Sequence, residues 1–207
     1  MMLQTQWSIF LNVNKMIKSL IAVTAISVGI TGPQIVKEDS VTEVQPLPVI
    51  PYELTWKCPD CTPNEQYVLE QLQEKTKISD RNALATIMGN IKQESKFIPN
   101  ICEGGARVSY SDCLRGGYGL IQWTSIGRYK GLGNFAARYC EDGPSSLTCQ
   151  TRYMINEPIF QKYLPMFEGG GQTVRQYMVP AYYWLGWGIK GNREFYSYEY
   201  SQKLVFS

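Results

Sequence analysis

A chain of 207 residues that is 44% hydrophobic is long enough for one domain with an ample core plus an appendage. Its formal charge of +2, without a Lys/Arg run, is too mild to imply a nucleic-acid surface. Histidine is absent, which excludes Ser/His and Cys/His catalysis, the usual zinc triads and imidazole as a proton carrier, so acid/base chemistry falls to carboxylates.

Near the amino terminus, Lys15 and Lys18 flank the start of an apolar run from Leu20 to Ile30, the layout of a signal-like n-region and h-region. The eleven residues of that run are too few to cross the hydrocarbon of a bilayer, for which about 20 are needed. Residues 1–32 therefore read as an export signal, and the alternative is a retained amino terminus that contacts the membrane through residues 16–32. Six cysteines fit the same oxidising address. Of the connectivities open to them, the pairs nearest in sequence are favoured: Cys58–Cys61, Cys102–Cys113 and Cys140–Cys149. The rival, a Cys-only zinc site on "CPDC", is disfavoured because no second CxxC follows.

Residues 33–57 contain four prolines and no sustained period, and read as an extended linker. The domain is expected over 58–207. "TPNE" opens its first helix, with Thr62 as N-cap, Pro63 at the first helical position and Glu65 closing a capping box. Val68, Leu69 and Leu72 form the buried side. Asp80 caps a second helix expected to run to about Phe97, where Pro99 stops it. From Asn100 to Gly117 the turn-rich sequence reads as a loop or small β-hairpin, and "YGLIQW" as a short strand. Thr124 caps a third helix, and further helices are expected over Ser146–Glu157, Thr173–Leu185 and Asn192–Leu204. The fold class is α+β, mostly α, with a small β-hairpin element between the second and third helices. In "YMVPAYYWLGWG", Tyr182, Tyr183, Trp184 and Trp187 suit either a carbohydrate groove or the core, and core packing is expected for most of them.

Within "TIMGNIKQESKFIP", Leu84, Ile87, Ile91 and Ile98 share one helical face, and Glu94 falls among them. Desolvation and the negative end of the helix dipole both raise the pKa of a carboxyl so placed. An acid still protonated near neutral pH is what a glycosidase needs to protonate a departing glycosidic oxygen. The plainer reading is a Glu at the edge of the stripe with its head in solvent. "RGGYGLIQW" lacks the GK[ST] ending of a phosphate-binding loop, so nucleotide chemistry is unsupported.

"GNIKQESKFIPN" followed by "GGYGLIQWTSIGRYKGLGNFA" resembles the phage tail lysozyme family, of the lysozyme-like superfamily related to lytic transglycosylases and goose-type lysozymes. The matching positions are Gly89, Asn90, Glu94, Ser95, Gly119, Gln122 and Trp123, with Arg128 after them; "YMINE", ending at Glu157, and "TVRQYMVPAYYW" extend the likeness more loosely. The resemblance implies a lysozyme-like fold in which the Glu94 helix and the element carrying Tyr118 to Trp123 form the two walls of a sugar groove. It implies Glu94 as the catalytic acid, and Ser95, Tyr118, Gly119, Gln122 and Trp123 as substrate-binding residues. From the residues alone, Gln122 is a polar position on a strand and a lone Trp123 is more often core. The partners implied are peptidoglycan glycan strands and other virion proteins, with no cofactor, no metal and no nucleic acid. The address is exported or virion-associated.

A second carboxylate is less well marked. Asp112 lies eighteen residues after Glu94, a spacing similar to that of animal-type lysozymes, but its flanking residues do not match. Glu103 and Glu157 are the other candidates. One acid suffices where the substrate's own acetamido group attacks the oxocarbenium centre, or where an internal hydroxyl closes an anhydro ring. The reading from another class is a catalytically silent module that keeps the fold to grip glycan or a partner protein.

Overall fold

The computed structural model describes residues 55–114 and 116–207. The signal-like segment 1–32 and residues 33–54 of the linker lie outside the described residues. The described elements run β1 (Trp56–Lys57), α1 (Pro63–Lys75), α2 (Arg81–Ser95), a single 3-10 turn (Tyr110–Asp112), α3 (Ile126–Tyr139), α4 (Leu147–Asn156), α5 (Pro158–Glu168), α6 (Val174–Leu185), α7 (Arg193–Lys203) and β2 (Val205–Phe206). The class is α+β and mostly α.

Local signals in the sequence set the helix starts. Thr62 and Glu65 form the reciprocal capping box of α1, and Val68, Leu69 and Leu72 are its buried residues. At α2 the Asp80 carboxylate accepts from the amides of Asn82 and Ala83, at 2.8 and 3.0 Å. For α3 the cap is Ser125 rather than Thr124, whose hydroxyl instead donates to the Gln122 carbonyl at 2.8 Å. Helix α5 was not expected from the sequence, although Pro158 at its first position and the spacing of its buried residues Phe160, Leu164 and Phe167 are ordinary helix signals.

Helix α2 is the centre of the domain. Every residue from Ala83 to Ile91 is buried, so the helix is covered on all sides by α1, α5, α6 and α7 rather than along one stripe. It also ends two residues earlier than expected. Lys96 and Phe97 both take left-handed φ, 52° and 61°, which turns the chain sharply after Glu94 and drops the Phe97 ring into the core against Tyr200. Ile98 thus lies beyond the helix and does not extend its apolar face.

Strand β1 pairs antiparallel with β2, Trp56 opposite Phe206 and Lys57 opposite Val205, so residues 55–57, assigned to the linker by composition, close onto the end of α7. A two-residue strand has no period for a sequence to display. Between α2 and α3, the β content is isolated bridges: Ile101 with Arg107, Cys102 with Tyr118, and Tyr118 with Trp123. "YGLIQW" is a tight turn rather than a strand, in which the Trp123 amide donates to the Tyr118 carbonyl at 3.0 Å. The three disulfides are Cys58–Cys61, Cys102–Cys113 and Cys140–Cys149, the pairs nearest in sequence. Among the described residues no helix is long and apolar enough to cross a membrane.

Helices α2 and α7 approach until backbone meets backbone. A Cβ added to Gly89 would lie 2.4 Å from the Ser197 amide nitrogen, which no rotamer change relieves. Gly89→Ala is therefore expected to cost about 2–3 kcal/mol in urea unfolding. Adding Ser197→Gly is expected to restore little of it, because the opposing nitrogen remains.

Candidate active site

Glu94 leaves the core in the last turn of α2 and opens onto a cleft of about 690 Å³. Ile121, Gln122 and Thr124 of the turn line one side, and Arg128 of α3 continues it. The opposite wall is the loop after α6, which contributes Trp187 and Ile189, together with Arg193 at the start of α7. Glu94 is the one carboxyl in this lining among the described residues.

The Glu94 side chain keeps only 15% of its exposure, and its Oε1 accepts a hydrogen bond from Arg193 Nη2. Burial pushes the Glu94 carboxyl above the usual carboxylate range; the nearby Arg193 and Arg128 guanidinium groups oppose that rise without cancelling it. The carboxyl facing the cleft therefore holds its proton to higher pH than a solvated carboxyl does.

Two buried side chains hold the turn against Glu94. Ser95, the next residue on α2, is buried and its hydroxyl donates to the Leu120 carbonyl at 2.7 Å. Gln150 of α4, also buried, accepts from the Leu120 amide at 2.7 Å, and its amide nitrogen donates to the carbonyls of Pro99 and Pro144. Both polar groups of Leu120 are therefore satisfied from opposite sides. Gly119 has φ of 73°, and a Cβ there would collide with the Gln150 amide. Gln122 is left-handed too, at 51°, and its Nε2 donates to Gly119 and Ile101 carbonyls.

Of the residues expected to touch substrate, the structure brings Glu94 and Gln122 to the cleft. Ser95 and Gly119 sit behind it as supports. Tyr118 is fully buried, its hydroxyl donating to Ser145 Oγ at 2.8 Å, and Trp123 is core, its ring 5.4 Å from that of Tyr153. A strand would have turned alternate residues outward; a turn folds them inward. Asp112 does not line the cleft: it is exposed on the 3-10 turn, accepting from Ser109 and Ser111. Glu103 accepts from the Gly117 amide at 3.2 Å. Glu157 is buried and binds Arg128 through both oxygens, at 2.6 and 2.7 Å, which fixes the guanidinium in the cleft lining.

Arg193 is not marked by the sequence as a site residue, and Trp187 enters there only among four rings that suit either a carbohydrate groove or the core. Trp187 lies over the Arg193 guanidinium, 4.8 Å from ring centroid to Cζ. Of the four rings weighed between groove and core, only Trp184 is core; Tyr182 and Tyr183 are exposed and Trp187 is half-buried in the cleft wall. The signal available for Arg193 was slight, a cation at the start of a helix.

The domain is mostly helical and sets a largely buried acid, at the end of its central helix, in a cleft. Residues 63–172, just over half of the chain, match the phage tail lysozyme family, and the chain belongs to that family. No curated protein and no solved structure matches it. Family membership gives it a lysozyme-type, peptidoglycan-related role, and its disulfides fit an exported or virion-associated protein.

Glu157→Gln replaces half of a largely buried bidentate pair. The expected loss is about 3 kcal/mol in denaturant unfolding, partly recovered when Arg128 is also replaced, by methionine, so that no buried charge is left unpaired.

Proposed function

We propose that the chain is a muramidase that cleaves the β-1,4 bond between N-acetylmuramic acid and N-acetylglucosamine in peptidoglycan. Glu94 is the general acid for the departing oxygen and, once ionised, the general base of the second step. The observation that carries this reading is a lone carboxyl in the cleft lining, held towards its protonated form by burial. With Asp112, Glu103 and Glu157 engaged elsewhere, the oxocarbenium centre is met by the substrate's acetamido group or by an internal hydroxyl. Residues 58–207, with strand β1 (Trp56–Lys57) closing onto them, are the catalytic domain, reached through the rest of the 33–57 linker behind an export or anchoring segment at 1–32. The enzyme opens the wall when a virion penetrates the cell or at lysis.

Glu94→Gln is expected to slow clearance of purified cell wall by about 10²–10⁴-fold, whereas Asp112→Asn is expected to leave it unchanged. A Glu94→Gln chain that clears wall as fast as the parent would overturn the enzyme reading in favour of a glycan-gripping module. Mass analysis of the released muropeptides assigns the second step, since anhydro ends are one water lighter than reducing ends.

A further inference from the structure

Arg193 lies outside residues 63–172, so the family match assigns it no role. Its environment is unusually constrained for a surface-helix arginine. The side chain keeps 7% of its exposure and is held from three directions. Nη2 donates to Glu94 Oε1, Nη1 donates to the carbonyls of Ile189 and Lys190 at 2.8 and 2.9 Å, and the Trp187 ring covers the plane. Its Nε is buried and has no acceptor among the described residues.

We infer that Arg193 is a positioning residue for the acid: by occupying Oε1 of Glu94 it leaves Oε2 as the oxygen that carries and delivers the proton. This inference rests on the muramidase reading. A carboxyl oxygen facing a guanidinium N–H accepts and cannot also present a proton in that direction. The Oε2–H bond breaks as the proton passes to the glycosidic oxygen, the C1–O bond breaks with its electron pair going to that oxygen, and Glu94 is left as an anion beside Arg193. The guanidinium then stabilises the carboxylate that the step creates, which is when the pair is worth most.

The same contact governs pH dependence. Burial raises the Glu94 carboxyl and the Arg193 charge restrains it. The cations acting on Glu94 are Arg193 from α7 and Arg128 from α3; Arg128 is bound by Glu157, while Lys92 on α2 and Lys190 before α7 are paired with Glu199 and Glu194. Because the protonated form is the active one, activity is present below the Glu94 pKa and lost as pH rises through it. Removing Arg193 raises that pKa further, so the alkaline limb moves to higher pH.

The test uses the full chain with Arg193→Gln and Arg193→Lys. It measures kcat and KM on soluble peptidoglycan fragments across pH, and the Glu94 carboxyl titration by NMR. In Arg193→Gln the alkaline limb and the NMR titration are both expected to move up by about one pH unit or more. Arg193→Lys keeps the charge but not the planar fork, and is expected to hold the limb in place while lowering kcat about tenfold at unchanged KM. A folded Arg193→Gln with the limb and the titration unmoved overturns the inference, as does an Arg193→Lys with unchanged kcat. If the parent clears no wall, the muramidase reading fails instead, and the NMR titration still decides whether Arg193 sets the Glu94 proton.

Discussion

Contact between α2 and α7 at Gly89 and Ser197 sets the geometry on which the site depends. With no side chain on one helix, the two backbones come close enough that an added Cβ would touch the Ser197 nitrogen. The helices run antiparallel past this point, so the last turn of α2 meets the first turn of α7. Gln93 accepts from the Asn192 amide at 2.9 Å, and Glu94 meets Arg193. A wider crossing would separate acid from guanidinium by the width of a side chain. The adjoining polar residues are sealed into the same contact: Asn90 donates to the Thr86 carbonyl at 2.8 Å and Ser197 donates to the Arg193 carbonyl at 2.7 Å.

Several residues of the family pattern are explained by support rather than by contact with sugar. Gly89 permits the helix crossing, Ser95 and Gly119 fix the turn, and Trp123 fills the core beneath it. Their common effect is to place Gln122 and the rim of the cleft at a constant distance from Glu94. The Cys102–Cys113 disulfide ties the loop that bridges to Tyr118, adding a covalent constraint to the same wall. A rigid wall lowers the ordering cost of substrate binding, because less of the site must be fixed when the glycan arrives.

The electrostatics of the cleft are a balance of opposing effects on one carboxyl. Burial strengthens the carboxyl's hold on its proton, and the two neighbouring guanidinium groups weaken it. In the structure burial wins, and the arginines restrain it. The buried acid Glu157 is engaged with Arg128 through both of its oxygens.

Helix starts, disulfide partners and the acid itself were legible in the sequence, because caps, nearest-neighbour cysteines and a charge amid apolar positions act over a few residues. Thr62, Asp80 and Glu94 are of this kind. The Tyr118–Trp123 turn was not legible as a turn, since its buried Leu120 is held by Ser95 and Gln150 from other helices and its Gln122 is left-handed. Arg193 lies ninety-nine positions from Glu94, and no local pattern carries a contact of that range. The sequence alone determined that a carboxyl stands amid the apolar positions of the central helix; packing of α7 on α2 decided which residue stands beside it, because backbone proximity depends on the whole core and not on any one segment.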